Sequence, residues 1–143
     1  MEKVLVKYHE EGLEPIKWTE NGDFLDLRSA KDVTLKKGEF TLIDLGVSIK
    51  LPEGYWGQVV PRSSTYKNFG IIQTNSFCVI DVSYCGENDV WLMPVLAMRD
   101  TVIHKNDRIC QFTIHKKIEK FDIEQVDSME GPSRGGIGST GVK

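Results

Sequence analysis

Short apolar runs separated by turn residues recur along the whole chain, and almost none of them has the spacing of an amphipathic helix. Runs of this kind are typical of an all-β sandwich or barrel. Only Ser63–Phe69 favours a short helical turn, with Ser63 or Ser64 as its N-cap. The predicted strands are Val4–Tyr8, Phe24–Leu27, Phe40–Leu51, Gly54–Val60, Gly70–Gln73, Cys78–Val82, Val90–Met98, Thr101–His104, Arg108–His115 and Lys120–Val126.

Two local features refine this pattern. The run from Val90 to Leu96 is apolar on both faces, which predicts a buried strand, and Pro94 within it predicts a sheet edge or a bulge because proline cannot donate to the ladder. From Asp127 onward the composition shifts to Gly, Ser and Pro. We therefore expect a β-rich core domain over residues 1–126 and a C-terminal arm over residues 127–143.

Composition narrows the class of protein. The 143 residues, 40% hydrophobic and 27% charged, fit a single globular domain. A net charge of −3 argues against general nucleic-acid binding. The N-terminal MEKVLVKYHE reads as neither a signal peptide nor an anchor, and the longest apolar run, Val90–Met98, is too short to cross a bilayer. Cys78, Cys85 and Cys110 lack paired spacing, so we expect neither a disulfide framework nor a zinc site, and a reducing, cytoplasmic compartment.

The stretch NSFCVIDVSYCGE, residues 75–87, combines an apolar strand with groups that can do chemistry. The strand Cys78–Ile80 leads directly into Asp81, and Tyr84 follows three residues later. A carboxylate at the end of a buried strand is rigidly held, which suits a general base, and the aromatic ring could cover a sugar or a base. The alternative is an ordinary hairpin, with Asp81 as a turn former and Tyr84 at the edge of the core.

A second candidate is PRSS, residues 61–64, at the start of the predicted helical turn. It places a cation and two hydroxyls beside backbone N–H groups that have no partner within the helix, an arrangement that favours an oxyanion. The alternative is an ordinary N-cap. The residues concerned are Arg62, Ser63 and Ser64.

Two polar segments flank predicted strands. In DRICQF, residues 107–112, Arg108 and Gln111 stand at a strand start, where either could equally be a surface residue of an edge strand. In DFLDLRSA, residues 23–30, Asp23 and Asp26 are the candidates. Their alternative role is a surface ion pair of Asp26 with Arg28 or another nearby cation, which adds little stability.

The C-terminal SRGGIGSTGVK, residues 133–143, is rich in glycine and hydroxyls. Glycines permit turns that aim successive N–H groups at an oxyanion, yet a terminal Gly/Ser segment is also typical of a disordered tail. It is not a P-loop, in which lysine directly follows the second glycine. His9, His104 and His115 lack metal-site spacing, and no nucleophile elbow occurs.

Taken in order, these segments resemble the five motifs of the trimeric dUTPase family, the dUTP nucleotidohydrolases or dUTP diphosphatases. The first motif is similar to DFLDLRSA, the second to the end of LGVSIKLPEGYWGQVVPRSS, the third to NSFCVIDVSYCGE, the fourth to DRICQF and the fifth to RGGIGSTG. The five motifs run in fixed order from about Asp23 to Val142. The resemblance implies an all-β, jelly-roll-like (β-clip) subunit with one short helical turn and a flexible C-terminal arm.

The resemblance also implies the assembly and the reaction. Three subunits would share three active sites, and the arm of one subunit would close over a site that its neighbours build. The reaction would be dUTP and water to dUMP and diphosphate, with Mg²⁺ on the triphosphate. It would keep uracil out of DNA and supply dUMP for thymidylate synthesis. The partners would be dUTP and two further copies of the chain, without nucleic acid or membrane.

Residue roles follow from the resemblance position by position. Asp81 would be the general base that activates water, and Tyr84 would stack on the deoxyribose and exclude a 2′-hydroxyl. The remaining substrate contacts would come from two groups. Uracil would be held by Asn75 and the backbone of the hairpin strand at Val79 and Ile80, and Ile137 would take the lid position. The phosphates would be held by Arg62, Ser63, Ser64, Gln111, Arg134, Gly138, Ser139 and Thr140. Asp26 and Gln111 would reach Mg²⁺ through water.

The chain departs from the family pattern at three points. Cys78 stands where the hairpin often has glycine, Ile137 replaces the usual aromatic lid, and Arg134 is spaced differently from that lid. Two rival functions share the scaffold. A dCTP deaminase needs a glutamate on the strand that here reads VWLMPVLAM, which has none. A non-catalytic nucleotide-binding or regulatory protein would not need Asp81, Tyr84 and Gln111 together.

Overall fold

The computed structural model describes residues 1–143 and is built almost entirely of antiparallel strands. The eleven strands and one helix are, in chain order, β1 Leu5–Tyr8, β2 Leu25–Arg28, β3 Val33–Leu35, β4 Phe40–Asp44, β5 Val47–Lys50, β6 Tyr55–Pro61, α1 Thr65–Phe69, β7 Ile71–Gln73, β8 Cys78–Ile80, β9 Leu92–Ala97, β10 Thr101–Ile103 and β11 Arg108–Lys116.

These strands form four antiparallel sheets. The largest has the order β2-β11-β6-β8, and a three-stranded sheet has the order β4-β9-β7. Two further pairs, β1 with β5 and β3 with β10, complete the fold. The inner faces of the sheets share one apolar core, in which Trp91 and Phe112 meet edge to face with ring centroids 5.1 Å apart.

The predicted run Phe40–Leu51 is divided into β4 and β5 by a tight turn. Asp44 Oδ1 accepts a hydrogen bond from the Gly46 N–H at 2.7 Å, and Gly46 has a φ of 68°. Glycine adopts this left-handed backbone at little cost, which the apolar pattern alone does not reveal. The strand Val33–Leu35 was not predicted: its three residues alternate apolar and polar, but the alternation is too short to distinguish a strand from a loop.

Two sequence predictions are wrong. Residues 120–126 do not form a strand: β11 ends at Lys116, and every residue from 116 onward is exposed. The division into a core of residues 1–126 and an arm of residues 127–143 stays a prediction. Pro94 lies neither at an edge nor in a bulge but in β9, the middle strand of its sheet, opposite Leu42.

The position of Pro94 has a simple geometric explanation. In an antiparallel strand the N and C=O of one residue face the same neighbour. The Pro94 carbonyl accepts from the Thr74 N–H at 3.1 Å, so its nitrogen faces the same side. Strand β7 ends at Gln73, one residue before Thr74, so the missing N–H falls just beyond the ladder.

The single helix, α1, begins after Ser64, as predicted, but the Ser64 side chain makes no capping hydrogen bond. It ends at Gly70, whose φ is 61°. Since this helix has five residues, no helix of the chain is long and apolar enough to cross a membrane.

Candidate functional site

A polar groove at one edge of the four-stranded sheet gathers the first, second and fourth candidate segments. It has a volume of about 420 Å³ and is lined by Thr19, Gly22, Asp23, Phe24, Asp26, Arg62, Ser63, Arg108 and Gln111. Neighbouring strands explain this convergence, because β2 carries Asp26, β6 leads into Arg62 and β11 carries Gln111. Residues nearly a hundred positions apart in sequence therefore share one surface.

Asp26 is held between two arginines. Arg62 Nε lies 3.0 Å from Asp26 Oδ1, and Arg108 Nη1 lies 3.3 Å from Oδ2. The Asp26 and Arg62 side chains are only 24% and 22% exposed, so water screens their attraction incompletely. The suggested pairing of Asp26 with Arg28 is not the one found, since Arg28 donates instead to the Asn106 carbonyl at 2.7 Å.

The segment around Arg62 is fixed by the first residue of α1. Thr65 is buried; its hydroxyl oxygen accepts from the Arg62 N–H at 2.8 Å and donates to the Ile109 carbonyl at 2.9 Å. Arg62 Nη1 also donates to the Ser64 hydroxyl oxygen at 3.4 Å. Ser63, between these two residues, is exposed. A cation and two hydroxyls are thus held at the groove by packing rather than by a helix cap.

Gln111 of β11 and Asp26 of β2 are directly paired residues on adjacent strands. Gln111 Nε2 donates to the Pro61 carbonyl at 3.2 Å, which leaves its Oε1 without a partner within the chain. A carboxylate and an amide oxygen are hard ligands of the kind that Mg²⁺ prefers. Two such groups are too few to fill an octahedral shell, so they suit contact through water with an ion whose direct ligands are phosphates and waters.

The third segment builds a separate cleft at another part of the same sheet. Its volume is about 450 Å³, and it is lined by Val79, Ile80, Asp81, Ser83, Tyr84, Val90, Trp91 and Leu92. Tyr84 is fixed by its hydroxyl, which donates to the Val90 carbonyl at 2.9 Å. Strand β8 is the outer strand of its sheet, so one edge of its backbone carries no neighbouring strand.

Asp81 is exposed and strongly oriented. Its Oδ1 accepts hydrogen bonds from the Ser83 N–H and the Ser83 hydroxyl, both at 2.8 Å, while Oδ2 has no partner within the chain. The backbone bond, followed by the hydroxyl bond, lowers the pKa of the Asp81 carboxyl below its ordinary value. At neutral pH the group is therefore ionised and can accept a proton.

Asn75 lies in the turn that leads into β8, where Ser76 has a φ of 59°. Asn75 Nδ2 is 3.3 Å from Cys78 Sγ, and Gln73 Nε2 is 3.1 Å from Asn75 Oδ1. Burial raises the pKa of the Cys78 thiol, so the thiol is neutral at physiological pH. Cys78 thus fills part of this corner of the hairpin.

The arm residues lie apart from both clefts. Arg134, Ile137, Gly138, Ser139 and Thr140 are all exposed, and within the arm the Ser139 N–H donates to the Gly136 carbonyl at 3.0 Å. Gly138 has a φ of 82°. Within one chain the structure therefore does not bring the fifth segment to the other four.

The two clefts are also far from each other. Ile80 pairs with Gly57 of β6, and the two strands are antiparallel. The next residue, Asp81, therefore lies opposite Trp56. Arg62, which directly follows β6, is six residues beyond Trp56. This corresponds to a separation of about 20 Å at the usual rise of a strand. One chain accordingly presents two separate clefts, one around Arg62 and one around Asp81.

Three residues of these clefts escaped the sequence analysis as site residues: Arg108, Ser83 and Gln73. From the sequence, Arg108 could equally be a site residue or a surface residue of an edge strand. Nothing in DRICQF reveals that Asp26 lies beside it. Ser83 could have been found, since a serine two residues after an aspartate is a common partner in a turn. Gln73 contacts Asn75 two residues away, but the contact that fixes its amide is with the Val59 carbonyl in another sheet, and the local sequence gives no sign of it.

Comparisons with known proteins identify relatives of this chain. The dUTPase family profile matches residues 18–141. The chain is 56% identical to the SPbeta prophage-derived deoxyuridine 5'-triphosphate nucleotidohydrolase of Bacillus subtilis strain 168, over 99% of both chains. It is 38% identical to the deoxyuridine 5'-triphosphate nucleotidohydrolase of Neorickettsia sennetsu, over 99% of this chain and 97% of the relative.

Solved structures show the same fold. A dUTPase of Staphylococcus bacteriophage 80alpha, solved with dUpNHpp, superposes with a TM-score of 0.79 at 20% identity and covers 99% of this chain and 100% of its own. A dUTPase of phage phi11 of S. aureus, described with a structural Mg(II) ion, gives a TM-score of 0.76 at 18% identity over 91% of this chain and 100% of its own. The expected all-β, jelly-roll-like subunit is confirmed, and the chain belongs to the dUTPase family.

Proposed function

We propose that this protein is a dUTP diphosphatase that hydrolyses dUTP to dUMP and diphosphate. The observation that carries the proposal is the Asp81 carboxylate, ionised, oriented by Ser83 and open at Oδ2 in a cleft beside Tyr84. The relatives that match nearly the full chain carry the same activity in their names. The reaction keeps uracil out of DNA and supplies dUMP for thymidylate synthesis.

Chemistry begins at Asp81. Oδ2 accepts a proton from a water molecule, and the resulting hydroxide attacks the α-phosphorus in line with the departing diphosphate. The bond from water oxygen to phosphorus forms as the bond to the α,β-bridging oxygen breaks, and diphosphate carries the electron pair away. Positioning and charge stabilisation account for most of the rate in such phosphoryl chemistry, so the base needs only to orient and deprotonate the water.

The same cleft supplies recognition of the nucleoside. The free backbone edge of β8 at Val79 and Ile80, together with Asn75, hydrogen-bonds uracil in the manner of a base pair. Cytosine is rejected because its donors and acceptors leave buried polar groups unpaired. Tyr84, held by its bond to the Val90 carbonyl, stacks on the deoxyribose and leaves no room for a 2′-hydroxyl.

The phosphates occupy the polar groove. Arg62, Ser63, Ser64 and Gln111 hold the triphosphate there, and its negative charge competes with Asp26 for Arg62. The C-terminal arm adds a second set of contacts: its glycines allow backbone N–H groups to face the outer phosphates while hydroxyls and a cation approach them. The arm residues concerned are Arg134, Ile137, Gly138, Ser139 and Thr140.

Mg²⁺ on the triphosphate fits the residues present. Asp26 and Gln111, paired across β2 and β11, would hold it through water, with no direct protein ligand. When bound, the ion neutralises charge on the phosphates and so assists departure of diphosphate. Release of Asp26 from Arg62 by the incoming phosphates frees its carboxylate for this task.

The two clefts, each one half-site, are completed by assembly into a homotrimer. The outer face of the β4-β9-β7 sheet carries apolar side chains that are exposed at Phe40, Leu42, Ile72 and Leu92 and half-buried at Pro94 and Leu96. A contiguous exposed face of this kind is typical of a protein–protein interface. Three copies place the Asp81 cleft of one chain beside the Arg62 groove of another, with the arm of the third closing over both. The three free cysteines suit a cytoplasmic compartment.

The reaction is tested by measuring diphosphate release from dUTP with Mg²⁺, beside dCTP, dTTP and UTP. We expect turnover of dUTP alone. Comparable turnover of UTP would contradict the role of Tyr84, and ammonia released from dCTP would assign a deaminase instead. Asp81→Asn should lower kcat by about 10²- to 10⁴-fold, the usual contribution of a general base, while dUTP binding is retained.

Sharing of the site is tested by mixing two inactive variants. Asp81→Asn and Arg62→Ala each remove one half-site, so each alone forms inactive trimers. Trimers refolded from an equal mixture should regain activity in roughly a quarter of their sites, since Asp81 and Arg62 then come from different chains. Sites built within single chains would regain none, and that result would overturn the shared-site arrangement.

A further inference from the structure

Gln73 links the two main sheets beneath the proposed uracil site. It is the last residue of β7, lies on the core face of the β4-β9-β7 sheet and is only 7% exposed. Its Nε2 lies 3.1 Å from the Val59 carbonyl oxygen in β6 and 3.1 Å from Asn75 Oδ1. A buried glutamine therefore connects a strand backbone to the side chain that faces the base.

The two contacts fix which end of each amide is the donor. A backbone carbonyl can only accept, so the end of Gln73 that meets Val59 must be Nε2. The same Nε2 lies 3.1 Å from the Asn75 amide and 3.4 Å from Cys78 Sγ. Because sulfur is the weaker acceptor, the second hydrogen of Nε2 goes to Asn75, whose facing atom must then be Oδ1. Gln73 Oε1 is buried without a hydrogen-bond partner. This group remains unsatisfied because turning the amide over would set oxygen against the Val59 oxygen.

This chain of contacts leaves Asn75 with its Nδ2 group for a ligand. Within the chain Nδ2 meets only Cys78 Sγ, at 3.3 Å, and sulfur is a weak acceptor. Nδ2 has two hydrogens, so at least one remains to be donated. A free asparagine could present either end, whereas here the buried glutamine excludes the reversed amide.

We propose that Gln73 is a positioning residue that sets the polarity of the Asn75 amide and thereby selects uracil over cytosine. The inference rests on the proposed function. An N–H donor on Asn75 that faces position 4 of the base matches the O4 carbonyl oxygen of uracil, whereas cytosine carries an amine at this position, which is itself a donor and finds no acceptor. A reversed Asn75 would present an acceptor and favour cytosine. The Val59 carbonyl thus fixes the orientation of the Gln73 amide, which in turn fixes the orientation of the Asn75 amide.

The test replaces Gln73 by methionine, which keeps the length of the side chain and removes both polar ends. Selectivity is measured as the ratio of kcat/KM for dUTP to that for dCTP. It is also measured as the ratio of Kd values for dCMP and dUMP, which needs no turnover. We expect both ratios to fall about tenfold or more, the effect of one hydrogen bond gained or lost at a desolvated site. The fall should come from KM, with kcat for dUTP little changed, because Asp81 is untouched.

A variant that replaces the donor by an acceptor, and a matched control, sharpen the comparison. Gln73→Glu offers only acceptors to Asn75 Oδ1, favours the reversed amide and should lower the selectivity further. Gln58→Glu makes the same change on β6, where Gln58 meets His115 instead of Asn75, and should leave both ratios unaltered. Thermal unfolding of each trimer establishes that the variants are folded.

A double-mutant cycle separates positioning from general damage to the core. In an Asn75→Ala background, Gln73→Met should cause no further loss of selectivity, because Gln73 acts through Asn75. An equal loss in both backgrounds, or ratios within about twofold of wild type in the folded single variant, would overturn the inference. A wild-type chain that prefers dUMP to dCMP yet releases no diphosphate from dUTP would refute the proposed hydrolysis and leave this inference standing.

Discussion

Replacing Asp26 by asparagine should separate two roles of one carboxylate: neutralising arginines in the empty groove and holding Mg²⁺ in the occupied one. Asparagine keeps the size and one acceptor oxygen but removes the charge. In the free protein that charge lies 3.0 Å from Arg62 Nε and 3.3 Å from Arg108 Nη1. Its removal leaves two cations unneutralised in one groove, so the free enzyme should lose stability.

The magnitude follows from the geometry and burial of the pair. Two unit charges 3.0 Å apart attract with about 5 kcal/mol at an effective dielectric constant of about 20, before desolvation is subtracted. Exposed pairs contribute about 0–1 kcal/mol net, whereas breaking a fully buried pair costs about 3–5 kcal/mol. With both side chains about a quarter exposed, we expect a loss of about 1–3 kcal/mol. For a chain of this size this lowers Tm by about 3 to 9 °C.

Two assays measure the two roles. Thermal unfolding at fixed protein concentration reports the stability, and the loss should shrink in high salt because part of the pair is reached by solvent. Diphosphate release against Mg²⁺ concentration reports the second role. We expect half-saturation to need about ten times more Mg²⁺, the usual effect of losing an outer-shell carboxylate.

Asp23→Asn is the matched control, because Asp23 lines the same groove without an ion pair to either arginine. It should change Tm and the Mg²⁺ requirement much less. Our account of Asp26 would be refuted by a Tm within about 1 °C of wild type together with an unshifted Mg²⁺ titration. A lower Tm with an unchanged Mg²⁺ titration would retain the arginine role and remove the metal role.

Three further outcomes are expected. Ser83→Ala removes one of two hydrogen bonds that lower the pKa of Asp81. That pKa rises, and because the base must be ionised, the acid limb of the profile of kcat/KM against pH should move to higher pH. Gly46→Ala should destabilise by roughly 2–4 kcal/mol in urea unfolding, since its Cβ would lie 2.8 Å from a neighbouring Cβ. Gly54→Ala, with a similar positive φ and open space, should cost about 1 kcal/mol. Deleting residues from Arg134 onward should lower kcat/KM for dUTP strongly while Tm stays unchanged, and unaltered kinetics would leave the arm without a role.

The fold class was predictable because strand periodicity and turn chemistry are local. Buried positions alternate with half-buried or exposed ones along β2 and β9, whereas the turn after Asp44, which divides the predicted run Phe40–Leu51, was not predicted. The failures were positional. Residues 120–126 alternate like a strand, but no strand of the same chain pairs with them. Pro94 is tolerated in a middle strand because the adjacent strand ends one residue early, which depends on the register between β7 and β9.

The roles of the site residues could be proposed from the sequence. Asp81, Arg62 and Gln111 stand in motifs that follow the order of the dUTPase family, so a role could be proposed for each without coordinates. The groups that orient them could not. Gln73 contacts Asn75 directly, and the orientation of the Gln73 amide is fixed by the Val59 carbonyl in another sheet. Such contacts depend on the packing of the sheets, and nothing in the local sequence marks them.

The separation of the half-sites gives a physical reason for self-association that does not depend on the apolar sheet face. Asp81 follows β8 at one edge of the four-stranded sheet, and Asp26 lies on β2 at the opposite edge, three strand spacings or about 14 Å away. Strand register adds about 20 Å between Asp81 and Arg62. A rigid sheet cannot fold back to close such distances, because its hydrogen-bonded ladder fixes the register. A second copy can bring the missing half-site to each cleft, so loss of assembly should abolish turnover even where every subunit remains folded.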